Sequence, residues 1–136
     1  MTAIKKTSVI QENKGNAHIA CPVTFVMEKI GGYWKPIIIF NLLSGTKRYS
    51  ELRRAIDTIT EKVLIQQLKQ LETDGLVIRN SQPVVPPHVT YELSKTGKDL
   101  YPVLREMAIW ATEHGESAQS QFKKQITDFP VLELSE

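Results

Sequence analysis

At 136 residues, 41% hydrophobic and 24% charged, the chain reads as one soluble globular domain with short extensions. A single cysteine excludes an internal disulfide framework and the usual multi-cysteine zinc sites, and it fits a reducing compartment. The net charge of +2 does not by itself point to nucleic acid, but residues 1–111 carry 15 basic and 10 acidic side chains against 2 and 5 in residues 112–136, so an acidic tail hides a moderately basic body that can meet phosphates.

Residues 1–17 hold Lys5, Lys6, Lys14, Gly15 and several polar residues. They read as a mobile N-terminal arm without the apolar core of a signal peptide. The longest apolar run, Ile37 to Phe40 and then Leu42-Leu43, is far too short to span a bilayer, so no membrane partner is expected and the location is expected to be cytoplasmic. Cys21-Pro22 predicts the start of a first helix, with proline at its first position and Cys21 at the N-cap. Val23, Val26, Met27 and Ile30 share a face, and Gly31-Gly32 stop the helix. A thiol at a helix N-terminus meets oriented N–H groups and the positive dipole end, both of which favour thiolate. His18, three residues earlier, adds to that field when protonated. Cys21 is therefore a candidate redox or electrophile sensor; the alternative is a small, inert, buried thiol. His18-X-X-Cys21 has the spacing of half a metal site, but two ligands are too few and His88 and His114 are distant in sequence. No metal or cofactor is expected.

Tyr33 to Leu43 predicts a second helix, with Pro36 tolerated in its first turn. Ile37, Ile38, Ile39, Phe40, Leu42 and Leu43 leave almost no polar face, which marks the buried core axis. Trp34 reads as packing, or as a flat aromatic lining a ligand pocket. Ser44-Gly45 end the helix. Thr46 to Tyr49 is short and extended, expected to join the later strands as a third. Lys47 and Arg48 on it would lie near phosphates; the alternative is solvated surface charge. Ser50 is expected to cap a short helix, Glu51 to Ile56, that buries Leu52, Ala55 and Ile56. Asp57-Thr58-Ile59 is a tight link to the next helix, as in a helix-turn-helix.

That next helix is the clearest element. Thr60 is a good N-cap and Glu61 suits the first turn. Leu64, Leu68 and Leu71 share one face, while Lys62, Gln66, Lys69 and Thr73 lie roughly opposite. Taken alone, the polar side is only a solvated face. Beside a short preceding helix and a following hairpin, it becomes a candidate for base edges and phosphates in a major groove. Asp74-Gly75 end the helix, with glycine in a left-handed conformation. Leu76 to Arg79 and Val89 to Leu93 predict two strands. Between them the stretch Asn80 to His88, with three prolines, predicts a stiff projecting loop. A hairpin placed directly after a reading helix is a wing, and Arg79, Asn80 and His88 near its limbs are candidates for contact with the DNA backbone or minor groove.

Ser94 is expected to cap the last long helix, in which Leu100, Val103, Leu104, Met107, Trp110 and Ala111 form a broad apolar stripe. Pro102 within it should kink the helix or mark a late start. The stripe is either core cover or a dimer face. The dimer reading, through Val103, Met107 and Trp110, is preferred because the second helix and the Leu64 face already supply a core. Residues 115–136 are expected to continue as polar helix and then fray, with Phe129-Pro130-Val131-Leu132 docking at no place the sequence specifies.

Leu-X-X-Leu-Glu-X-Asp-Gly-Leu-Val-X-Arg at positions 68–79 resembles the end of a MarR-type recognition helix entering its wing. Val-Pro-Pro-His-Val-Thr-Tyr-Glu-Leu-Ser at 85–94, followed by Gly97 and Leu100, is more particular. With Cys21-Pro22, Gly32-Tyr33-Trp34-Lys35 and Trp110 it resembles the HxlR family of bacterial winged-helix regulators, over about residues 18–114. Each motif alone recurs in many winged helices; the ordered set is specific. The resemblance implies a homodimeric, cytoplasmic transcription factor responding to electrophiles, oxidants or small aromatic compounds. Family members with extra C-terminal cysteines can pair differently. With one cysteine per chain, a sensing disulfide here must join two copies or take up a small thiol.

The fold class expected is mainly α with a small β-hairpin wing (α+β): a winged helix-turn-helix dimerising through terminal helices. The divisions expected are an arm at 1–17, the DNA-binding domain at 18–114 and a helix end and tail at 115–136. The leading function is a homodimer on double-stranded DNA, with Lys47, Arg48, Thr60, Lys62, Gln66, Lys69, Arg79, Asn80 and His88 as contact candidates. A winged helix that binds only protein is the alternative, because fold does not fix function. An enzyme with Cys21 as nucleophile is disfavoured: His18 is the only nearby base, and no carboxylate, phosphate loop, paired acids or metal cluster stands behind it.

Overall fold

The computed structural model describes residues 21–115. The arm at 1–17, His18 and the tail beyond Gly115, including Phe129 to Leu132, lie outside the described residues. The chain divides into two compact units between Gly32 and Tyr33, inside the span read from sequence as one domain.

In the first unit, α1 runs Pro22–Ile30 with Cys21 at the N-cap in an extended conformation and proline in the first turn. Proline has no N–H to leave unsatisfied there. Gly31 closes the helix with its N–H on the Met27 carbonyl at 2.7 Å. Of the apolar residues expected on one face, Ile30 is buried but Val23 and Met27 are exposed.

The second unit contains α2 (Trp34–Leu42), β1 (Lys47–Arg48), α3 (Tyr49–Ala55), α4 (Glu61–Thr73), β2 (Val77–Gln82), β3 (His88–Leu93), α5 (Lys95–Lys98) and α6 (Tyr101–His114). It is mainly helical with a three-stranded antiparallel sheet in the order β1-β3-β2. α2 packs against α4, α3 and β3. Its Ile38, Ile39 and Leu42, with the following Leu43, join Leu52, Ile56, Ile59, Leu64, Leu68, Leu71, Leu76, Val77, Tyr91, Leu93 and Leu104 in the core. α2 is thus the core axis, although not apolar on every side to the same effect: Phe40 reaches the surface, and Asn41 donates its amide to the Ile37 carbonyl at 2.8 Å. Among the described residues, no helix is long and apolar enough to cross a membrane.

The third strand forms as expected, with Lys47 opposite Tyr91 and Arg48 opposite Thr90. Three boundaries differ from the sequence reading. α3 begins at Tyr49, so Ser50 lies inside its first turn rather than at its cap. The Glu51 carboxylate reaches back to accept the Arg48 N–H at 2.9 Å, half of a reciprocal capping arrangement that fixes the start two residues earlier. Ala55 is exposed and Ile59 takes the core place expected of it. The wing strands also run further than their alternation suggested. Asn80, Ser81 and Gln82 pair with Thr90, Val89 and His88, because polar side chains do not prevent backbone pairing. The prolines are confined to the tip, where no ladder bond is lost.

Ser94 caps α5 instead of the long helix: its hydroxyl oxygen accepts the Gly97 N–H at 3.1 Å. The same hydroxyl donates to the Gly75 carbonyl at 2.6 Å, and the Ser94 N–H donates to the Leu76 carbonyl at 3.0 Å. α6 then starts afresh with Pro102 in its first turn, the late start that proline permits. This joint clamps the base of the wing to the end of α4, where Gly75 adopts φ 76°, a conformation that favours glycine. Gly97 is needed for a different reason: a Cβ there would collide with the Leu76 carbonyl oxygen. Gly97→Ala should therefore lower stability by about 1–3 kcal/mol through overpacking, read as a fall in the urea midpoint; an unchanged midpoint would show that the joint is not tight.

Candidate nucleic-acid interface

α4 carries the candidate reading edge. Thr60 stands at its N-cap, and the hydroxyl oxygen accepts the Val63 N–H at 3.2 Å. A hydroxyl that accepts in this way keeps its proton to donate outward. Leu64, Leu68 and Leu71 are 0–1% exposed, which fixes the rotation of the helix. Lys62, Gln66 and Lys69 are consequently exposed along the opposite edge. The Thr73 hydroxyl is occupied within the helix, donating to the Lys69 carbonyl at 2.9 Å.

The strands set the other candidates around this edge. Strand alternation sends Arg79 and Asn80 to opposite faces of the sheet. Arg79 pairs with Tyr91 and, with Ile65, Tyr91, Val89, Arg48 and His88, lines an open groove of about 410 Å³ between α4 and the wing. An adjoining groove of about 310 Å³ is lined by Ile65, Lys69, Glu72 and Arg79 among others. Arg48 Nε donates to His88 Nε2 at 2.9 Å, tying the start of α3 to the outer end of the wing strand. Arg48, Arg79 and His88 are thereby gathered about the first groove, and Lys69 joins Arg79 at the second. Asn80 is set apart from them: its amide donates to Glu92 at 3.3 Å, and Glu92 also accepts from the Thr46 hydroxyl at 3.3 Å. Lys47 is half-buried beside this sheet. The exposed Arg53–Glu61 contact at 3.9 Å contributes little.

Two groove residues had no place in the sequence reading. Ile65 is 49% exposed, an apolar residue out of phase with the three leucines; that mismatch was the only signal in the sequence. Tyr49 has a buried hydroxyl with no hydrogen-bond partner among the described residues. Burial, and next the charge of Glu61, hold its pKa above the ordinary tyrosine value.

Cys21, in the first unit, is half-exposed and unbridged. The N–H of Thr24 lowers its pKa most, followed by the Thr24 hydroxyl and the Val23 N–H, against a smaller upward push from burial. This is the helix-end effect expected of an N-cap thiol. On α6, Leu104 turns inward while Val103, Met107 and Trp110 stay exposed, Trp110 by 64%. Trp110 stacks on His114 at 4.6 Å.

The HxlR-like helix-turn-helix family model matches residues 29–119. YybR, an HTH-type transcriptional regulator of Bacillus subtilis (strain 168), is 39% identical over 100 residues, or 74% of this chain and 80% of YybR. Among solved structures, the redox regulator HypR in its reduced form is 38% identical, with a TM-score of 0.68 over 74% of this chain and 99% of HypR. The reduced form of the transcriptional regulator YodB from B. subtilis is 35% identical, with a TM-score of 0.64 over 71% of this chain and 95% of YodB.

Because the thiolate is the reactive form, the lowered pKa of Cys21 has a direct consequence. The alkylation rate of the native protein by iodoacetamide should reach half its maximum at a lower pH than that of the same protein in urea. Coincident profiles, or a native midpoint on the alkaline side, would remove the thiolate argument.

Proposed function

The chain belongs to the HxlR-like helix-turn-helix family of transcriptional regulators, and on that premise we propose that it is a cytoplasmic homodimer reading a palindromic DNA operator and answering oxidants or electrophiles through Cys21. The observation that carries the reading is the exposed Lys62–Gln66–Lys69 edge, held outward by buried Leu64, Leu68 and Leu71 and flanked by the wing groove. A winged helix presents such an edge to the major groove and its wing to the adjacent backbone. Gln66 then reads a base edge. Lys47, Arg48, Lys62, Lys69, Arg79 and His88 meet phosphates, and the Thr60 hydroxyl donates to one at the helix entrance. Asn80, engaged by Glu92 and lining neither groove, is left out of this set.

Two copies join through the uncovered Val103, Met107 and Trp110 stripe of α6, an apolar row at helical spacing of the sort that marks an interface. The two reading helices then address half-sites one helical turn apart or a multiple of it. The likeness to HypR, a redox regulator, together with the lowered pKa of Cys21, supports a thiol signal. Oxidation joins the Cys21 thiols of two copies in a disulfide, giving up two protons and two electrons to the oxidant, or caps each with a small thiol. A quinone instead takes the thiolate by addition. Small aromatic electrophiles are the effector class this chemistry admits.

In mobility-shift titrations, Lys62→Ala and Lys47→Ala should weaken binding to all duplexes and flatten the salt slope by about one per lost phosphate contact. Gln66→Ala should instead erase about 1–3 kcal/mol of preference at one base pair in each half-site. Tight binding that ignores salt would refute the interface. Trp110→Glu should convert the dimer to monomer in analytical ultracentrifugation; an unchanged mass would place the interface elsewhere. Diamide should alter operator affinity of the wild type and leave Cys21→Ser unmoved; equal responses would dismiss the sensor.

A further inference from the structure

We infer that Ile65 is a specificity-determining residue whose side chain meets the C5 methyl group of a thymine in the major groove. The inference rests on the reading of α4 as a DNA-reading helix. At 100° per residue, Leu64, Leu68 and Leu71 define the inward side and Lys62, Gln66 and Lys69 the outward one. Ile65 lies between these two sides, on the flank turned toward the wing, since it lines both grooves there with Arg79 and Tyr91. Half of its surface is uncovered by its own chain. A branched apolar side chain at this place is a poorer helix former than the lysines and glutamines around it, and it leaves apolar surface in water.

A partner surface that would cover it must therefore offer an apolar group within reach of the residues that bond polar base edges. The major groove offers one such group, the thymine methyl. Gln66, the next residue, has the amide geometry that pairs with adenine N6 and N7. Together Ile65 and Gln66 select A·T pairs at adjacent places in each half-site. Discrimination by Ile65 depends on removal of a methyl group from water and not on hydrogen bonding, which separates its signature from that of its polar neighbours.

The experiment uses the full-length dimer. Its half-site is first obtained by selection from random duplexes, and each thymine in the selected operator is then replaced singly by uracil, which removes only the methyl. Wild type should lose about fourfold in affinity at one thymine per half-site, the effect of uncovering one methyl-sized group, and tolerate uracil elsewhere. Ile65→Ala should bind the thymine operator more weakly and show no uracil penalty at that position. Ile65→Gln, which raises helix propensity, guards against a folding loss and should behave likewise. Uniform tolerance of uracil by the wild type, or the same penalty persisting in both variants, would overturn the inference. Failure to select any duplex would be seen before uracil is introduced, and would bring down the DNA-reading interpretation together with it.

Discussion

Burial of one side of a thirteen-residue helix is the constraint from which the rest of the structure follows. Leu64, Leu68 and Leu71 are removed from water to within 1%, and α2 and the start of β2 pack against their helix. Each such leucine contributes about 1.5–3 kcal/mol by leaving water. Rotation of α4 by even one residue would bring Lys69 and Glu72, or Gln67 and Gln70, into the core. The outward direction of Lys62, Gln66 and Lys69 is therefore a consequence of core packing and needs no contact of its own to hold it. A side chain placed in this way is already oriented before any partner arrives, so little ordering entropy is left to oppose binding.

The wing obeys the same logic through a different contact. Gly75 turns the chain, and the carbonyls of Gly75 and Leu76 accept from Ser94. The Arg48–His88 hydrogen bond holds the far end of the central strand, β3, to the start of α3. Groups that belong to four separate elements, Arg48, Lys69, Arg79 and His88, thus border two adjoining grooves that share Arg79. Charge alone would not have predicted this concentration, since the whole chain carries only +2. The apolar stripe of α6 and the thiol at the N-cap of α1 lie outside this frame.

Residues with a local physical cause were the legible ones. Thr60 as cap, the leucine period, Gly75 as terminator and Cys21 before Pro22 all read directly, because each is set by neighbours within a few positions. Positions where local signals competed did not. Ser50 is a better cap by type than Arg48, yet the reach of Glu51 back to the Arg48 N–H decides the start of α3. Ser94 caps as its type suggests, but a short helix and then a break at Asp99-Leu100 separate it from α6. Asn80 and Arg79 are neighbours in sequence and candidates for the same contact, and strand alternation parts them. Ile65 drew no role because an apolar residue out of phase with the leucines does not say what covers it; its exposure beside Arg79 and Tyr91 gives it meaning.

The central claim is that the edge of α4 opposite the three leucines is the surface that meets duplex DNA. An amide NMR titration of the protein with a selected duplex tests it most directly. Perturbations should concentrate in the first half of α4, from Thr60 to Lys69, and in the wing from Arg79 to His88, and leave the exposed face of α6 unchanged. Perturbations confined to α6, or spread with no preference for the α4 edge, would contradict it.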